Sequence, residues 1–305
     1  VDEEFDIEYD FRINRKAFLS KLIIEKKKEN EDESSDDGSD IKAATDDKKE
    51  HDQKDKKKDH KEHNKPKPKK EPKSVKRVSW IFDCPVFVRD GFANSATNQG
   101  SLGDCWFVSA LVTMTAVKGL VERICVCRDE AVGVYGFAFH RDGTWIPTVV
   151  DDFLYLEHAD YSGNFDPDGS RAKEYRERWQ TGSKRLFFGN CEDQNETWFP
   201  LLEKAYAKIH GDYPSLSAGW IGEAVEDMAG GISTQILTNS TLDKDILWKE
   251  ITEEPKKHVF SVQTYTYRHE DYKQHGLQEL HAYSIMNAAE ETGEDGKNVR
   301  FVKLR

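Results

Sequence analysis

An α+β fold, helix-led in its first part and strand-led in its second, is predicted for this 305-residue chain by three features. Residues 105–117 are apolar on nearly every face and follow Gly103-Asp104, a start signal for a helix buried all round. Residues 198–209 carry a second helical pattern. Beyond Gly230-Gly231, alternating runs at 259–267, 281–287 and 299–304 predict strands. The Gly-Gly step therefore divides the body into two subdomains, 74–230 and 231–305.

The remaining elements follow in chain order. Within the N-terminal segment, 1–24, apolar and polar positions alternate through Phe5, Ile7, Tyr9, Phe11 and Ile13. That period predicts an extended piece docking on the body, followed by an amphipathic turn through Phe18, Leu22 and Ile23. Residues 25–73 hold 16 Asp and Glu and 16 Lys, with only Ile41, Ala43 and Ala44 as apolar company. Such a stretch cannot bury enough surface to offset its ordering entropy, so a disordered charged insert is expected. Apolar density returns near Val75 with Trp80, Ile81, Phe82 and Val86. Residues 132–150 are strand-like around a turn at Asp142-Gly143, and 246–251 predict a helix. The stretch between Asp152 and Trp198 has no legible role. Within it, Asn164 to Gly169 imitates the front of a calcium loop but has Tyr175 where a bidentate Glu is needed, so it reads as a plain loop.

Charge and cysteine usage narrow the function class. The net charge of -12 lies outside the insert, whose charges cancel, and an acidic body argues against nucleic acid as partner. Five cysteines without a CxxC pair fit neither a disulfide framework nor a zinc site, so reduced thiols and a cytoplasmic location are expected. No run is long enough to span a bilayer and the start is no signal peptide, so no integral membrane contact is expected. The first residue is not Met and the last ones end inside a strand-like alternation, so both ends are expected to be artificial.

The sharpest local signal is Gln99-Gly-Ser-Leu-Gly-Asp-Cys105-Trp-Phe107. A cysteine in the first turn of a buried helix sits among unpaired N–H groups at the positive end of the helix dipole, which favours the thiolate and makes a nucleophile. Gln99, with the Cys105 N–H, can supply a two-donor oxyanion hole. Gly100 and Gly103 permit close backbone approach. Of ten histidines, His281, opening the run His-Ala-Tyr-Ser-Ile-Met, has the setting of a general base. His275 is its one competitor.

Taken in order, Gln99-Gly-x-Leu-Gly-Asp-Cys105-Trp-Phe, Leu201-Leu-Glu-Lys-Ala-Tyr-Ala-Lys208, Glu226-Asp-x-x-Gly-Gly231 and His281-Ala-Tyr-Ser resemble the protease core of the calpains, from about Trp80 to Arg305. The resemblance implies a papain-like fold, an intracellular cysteine endopeptidase acting on protein or peptide substrates, and a cleft between the subdomains. It implies Cys105 as nucleophile, Gln99 as oxyanion donor and His281 as general base and acid, with no organic cofactor. The family's asparagine, in Asn-Pro-Trp after a Leu-x-Leu-Arg-like strand, would come next after Arg305, so the fragment is expected to be weak or inactive. Asn287 and Asn298 are the substitutes at hand. Leu280 stands where the family usually has Gly. The resemblance also implies calcium at Gly91 and Glu203, with Ala96 in place of an Asp ligand. The rival expectation is a silent calpain-like protein that binds a peptide or scaffold partner in the same cleft. A third is that the insert itself tethers partners.

Overall fold

The computed structural model describes residues 2–19, 71–163, 166, 169–253, 258–265 and 276–305. The chain divides into two compact units, Val1–Leu19 with Glu71–Arg305, and Ser20–Lys70. The second unit, and with it nearly all of the expected disordered insert, lies outside the described residues, as do Leu22, Ile23 and His275. Residues 71–73 already belong to the first unit: Lys73 N–H donates to the Leu156 carbonyl at 2.9 Å.

The N-terminal segment departs from the extended expectation. Helix α1 (Ile7–Arg12) forms instead, because Asp6 caps it by accepting from Tyr9 N–H at 2.9 Å. Buried Asp10 then holds the following turn, accepting from Arg15 Nε at 2.9 Å and Ala17 N–H at 3.0 Å. A local cap and a buried acceptor here outweigh a two-residue period.

Strand β1 (Ser74–Arg77) leads into the one-turn helix α2 (Val78–Ile81), and β2 (Thr97–Asn98) precedes the central helix α3 (Cys105–Thr115). Strands β3 (Cys125–Asp129), β4 (Val134–Arg141) and β5 (Thr144–Asp151) form an antiparallel sheet. The β4–β5 turn is Asp142-Gly143, with φ of +51° and +78°, as the sequence predicts. Strand β6 (Phe153–Leu156) pairs antiparallel with β1. The stretch after it contains helix α4 (Ser170–Trp179) and β7 (Asn190–Cys191), which pairs with β2. Helices α5 (Trp198–His210) and α6 (Ile221–Ala229) follow, the latter ending on left-handed Gly230. Helix α7 (Lys244–Glu253) and strands β8 (Ser261–Gln263), β9 (Ala282–Thr292) and β10 (Asn298–Leu304) complete the order, with β9 central in a second antiparallel sheet. This mixture of helices and small sheets is the α+β class expected, consistent with a papain-like core.

The core is aromatic and centres on α3 and α5. Phe107 stacks on Tyr206 with centroids 4.4 Å apart, and Phe139 of β4 meets the same ring at 5.5 Å. Trp106 Nε1 donates to the Leu216 carbonyl at 2.8 Å, so its buried polar edge is satisfied. The Leu-Leu-Glu-Lys-Ala-Tyr motif is explained by what α5 buries. Lys204, fully enclosed, donates to the Asp151 carboxylate and to the Phe153 carbonyl. Tyr206 Oη donates to Asp227 Oδ2 at 2.8 Å. Each polar residue of the motif therefore anchors α5 to a different neighbour, the condition for burying it at all. No helix among the described residues is long and apolar enough to cross a membrane.

Candidate active site

Helix α3 starts at Cys105, where the sequence predicts its start. Asp104 occupies the cap position without a side-chain cap bond, and its carbonyl accepts from Phe107 and Val108 N–H groups. The amides of Cys105 and Trp106 stay free of intrahelical partners, the condition for anion stabilisation at a helix start. Cys105 is half-buried. It shares one helix face with Ser109 and Thr113, four and eight residues on. This polar stripe in an apolar helix is a signal that sequence reasoning missed.

The stripe meets the second sheet. Ser284 Oγ of β9 donates to the Ser109 carbonyl at 2.7 Å and lies 3.3 Å from Ser109 Oγ. Thr113 Oγ1 and Ser261 Oγ of β8 are 2.7 Å apart, and Ser261 pairs with Ser284 across the strands. Both sheet residues thus rest on the face that Cys105 begins. His281 lies one residue before β9, half-buried, its ring edge-on to Tyr283 at 4.9 Å. Four residues of helix rise about 6 Å and three of strand extend about 10 Å. Cys105 and His281 are therefore each within that reach of the single Ser109–Ser284 contact.

The His281 main chain is held on both sides by one residue. Its N–H donates to Thr264 Oγ1 at 3.0 Å and its carbonyl accepts from Thr264 N–H at 2.9 Å. Thr264 Oγ1 also donates to the Gln278 carbonyl at 2.6 Å. Before it, Leu280 adopts φ of +51° with its side chain exposed. This left-handed backbone suits glycine and strains leucine by about 1 kcal/mol, which accounts for the glycine expected there.

Gln99 precedes Cys105 in a loop laid tightly on the backbone before β7. A Cβ on Gly100 would stand 2.2 Å from the Phe188 carbonyl carbon, and Ser101 N–H donates to the Phe187 carbonyl at 2.9 Å. Gln99 is exposed and its Nε2 donates to the Leu102 carbonyl at 2.6 Å. The asparagines at hand are engaged elsewhere. Asn287 Oδ1 accepts from Ala288 N–H, and Asn298 Nδ2 donates to Glu290.

Gly91 and Glu203, which the resemblance assigns to a calcium site, stand in different surroundings. Gly91 is exposed in the 89–96 loop. Glu203 is buried on α5, both oxygens accepting from Gly189 N–H at 3.1 and 2.9 Å, beside Asp104. Its pKa is pushed well above the usual range by burial and then by the Asp104 charge. A buried carboxyl that keeps its proton is a poor ligand for a hard cation. The carboxylate facing the loop is Glu196, which accepts from Arg89 N–H at 2.8 Å and from the Ser95 hydroxyl. It lines a cavity of about 240 Å³ with Asp90, Glu192 and Asp193, but Arg89 enters the same cavity, pairs with Asp193 at 3.3 Å, and Ala96 adds no ligand. Among the described residues no three His, Cys, Asp or Glu side chains form a metal-holding group. Glu203, with both oxygens on Gly189 N–H, is therefore a poor fit to a calcium site.

Comparison with known proteins agrees with the motifs. The profile described as "Calpain family cysteine protease" matches residues 49–305. The chain is 32% identical over 162 residues to the calpain-1 catalytic subunit of Bos taurus, covering 52% of this chain and 19% of that protein. It is 33% identical over 163 residues to calpain-8 of Mus musculus, covering 52% and 20%. Calpain clp-4 of Caenorhabditis elegans is 32% identical over 162 residues, covering 52% and 19%. The chain thus matches about a fifth of the length of these relatives.

Proposed function

Because the chain belongs to the calpain family of cysteine proteases, we propose that it carries the catalytic core of a cytoplasmic endopeptidase, with Cys105 as nucleophile and His281 as general base and acid. The observation that carries this reading is the Ser109–Ser284 contact, which ties the helix begun by Cys105 to the strand that follows His281. In the proposed reaction His281 takes the Cys105 proton and sulfur attacks the peptide carbonyl carbon. The tetrahedral oxygen is held by the Cys105 N–H and the Gln99 amide. His281 returns its proton to the leaving amine, and water then attacks the thioester with His281 again as base. Gln99 must offer an N–H other than the one on Leu102, or turn.

Thiol labelling tests the reading. Cys84 is exposed, whereas Cys191 is buried and its thiol is pushed up to about 12 by that burial, so Cys84 is the fair comparator. Iodoacetamide at neutral pH is expected to modify Cys105 at least about 10-fold faster than Cys84. Equal rates sink the nucleophile. The second reading, a silent peptide-binding cleft, is favoured by the Gln99–Leu102 bond; peptide binding without selective labelling of Cys105 supports it.

A further inference from the structure

The residues between α5 and α6 wrap the base of the helix that Cys105 begins. The Leu216 carbonyl accepts from Trp106 Nε1 at 2.8 Å, and Ala218 N–H donates to the carbonyl of Gly103, two residues before Cys105, at 3.0 Å. Gly219 then lies flat on the Trp106 indole, where a Cβ would stand 2.4 Å from the ring. Trp220 comes next, with extended backbone, and leaves 51% of itself in water. A single exposed apolar residue is ordinary on any surface. What singles this one out is its neighbour. The Trp220 ring meets Tyr265, with centroids 6.4 Å apart and planes inclined at 48°. Tyr265 follows Thr264, the residue that holds the His281 main chain on both sides.

Trp220 is thus one residue from the segment fixed to the nucleophile loop, and Tyr265 is one residue from the clasp on the histidine. The pair joins the two sides against which a peptide substrate must lie. Both rings are held. Tyr265 Oη accepts from Gln235 Nε2 at 2.5 Å, which satisfies its polar end. The loop carrying Gln235 is itself anchored to α6, since Ser233 donates from its N–H and its hydroxyl to Glu226 Oε1 at 2.6 and 2.7 Å. Ser233 also packs on Gly222, where a Cβ would come within 2.4 Å of Ser233 Oγ. We infer that Trp220 and Tyr265 form an aromatic subsite for a bulky apolar side chain of the substrate, of the phenylalanine or leucine kind, close to the bond that is cut; the inference rests on the protease reading above. The rings are too close to admit a third between them, so that side chain lies across both. It gains by removing apolar area from water on both sides of the contact, a gain that glycine at the same position forgoes.

Peptide aldehydes test the subsite in the full chain. The Cys105 sulfur adds to the aldehyde carbon and the thiol proton passes to the aldehyde oxygen, so affinity is read without turnover. An all-glycine peptide aldehyde is compared with versions that carry a single phenylalanine at each position in turn. In the wild type, phenylalanine at one position is expected to bind at least about 10-fold more tightly than glycine there. Trp220→Ala is expected to cut that preference to less than about threefold, whereas Trp220→Phe, which keeps a ring, retains most of it. Trp80→Ala, which removes an exposed tryptophan of α2, is expected to leave the preference whole. Because the preference is a ratio of two probes on one variant, a general loss of stability or of Cys105 reactivity cancels from it. Tyr265→Ala, expected to act as Trp220→Ala does, carries the test should that variant fail to fold. Equal affinity for all the probes in the wild type overturns the inference and leaves the protease reading standing. So does a phenylalanine preference that survives in folded Trp220→Ala or, in its place, Tyr265→Ala. A wild type that neither labels Cys105 selectively with iodoacetamide nor binds any aldehyde ends the protease reading and this inference together.

Discussion

Ser284 Oγ donates to the Ser109 carbonyl at 2.7 Å, so the strand beginning beside His281 is stitched to the helix beginning at Cys105. Both residues are buried and small, which lets backbone approach backbone. Ser284→Ala is expected to cost about 1 kcal/mol, the worth of an ordinary hydrogen bond. Ser284→Val overpacks the same contact and is expected to cost 1–3 kcal/mol, as is usual for added bulk in a packed site, at roughly that scale. Because it spreads helix from strand, peptide-aldehyde affinity is expected to fall further in Ser284→Val than in Ser284→Ala. Denaturant melts and aldehyde titrations check both; equal affinities in the two variants count against this contact as the spacer of the site.

Leu280, at φ of +51°, is the strained residue beside the histidine. Leu280→Gly is expected to stabilise the fold by up to about 1 kcal/mol, the relief of left-handed strain offset in part by greater chain entropy. Leu280→Val, β-branched at the same φ, is expected to destabilise it. Urea midpoints of the two variants lying on the same side of the wild type refute the strain.

Thr264 clasps the His281 backbone from 17 residues away. Thr264→Val keeps the shape and removes the hydroxyl, leaving His281 N–H without its acceptor. A loss of about 1–3 kcal/mol is expected from that unmet donor. Peptidase activity is expected to fall by more than the same loss of stability produces elsewhere in the chain, which kcat measured well below the melting temperature reports. Unchanged stability and kcat mean the clasp does not hold the histidine.

The Asp104–Glu203 pair has a defined pH signature. Both folded pKa values lie above the unfolded ones, so the folded state binds more protons and the pair's stabilising contribution is complete below about pH 4. It is lost as pH rises through about 6 for Asp104 and higher still for Glu203. Glu203→Gln removes the Glu203 proton while keeping a donor and an acceptor. Its Tm is therefore expected to fall less than that of the wild type between about pH 5 and about pH 8. Parallel Tm curves contradict the raised pKa of Glu203.

Calcium is expected to have little effect on this chain. With Glu203 facing inward and Arg89 in the cavity beside Glu196, millimolar calcium is expected to move Tm by less than about 1 °C, since a ligand stabilises only the state it binds. A larger shift, abolished by Glu196→Gln, restores a calcium site and places it at Glu196.

Several elements were legible from residue order. Apolar density locates α3 and α5, Asp142-Gly143 locates a turn, and alternation locates β9 and β10. The short strands β6 and β7 were not legible, because each is defined by a strand partner far away in the chain and not by its own period. The N-terminal alternation misled for a related reason: Asp6 and Asp10 hold a helix through single hydrogen bonds that a two-residue period does not encode.

By itself the amino-acid order determined where α3 begins, which histidine is the candidate partner of Cys105, and the family to which the four motifs belong. These are local or additive properties, carried by periodicity and by short strings. Tertiary structure alone decided which carboxylate turns inward onto the Gly189 N–H and which turns to the 89–96 loop. Glu196 and Glu203 are seven residues apart, and nothing local distinguishes their charges. Their fates part because burial on the inner face of α5 favours the protonated acid, while the residue ahead of that helix accepts from the Arg89 N–H and the Ser95 hydroxyl.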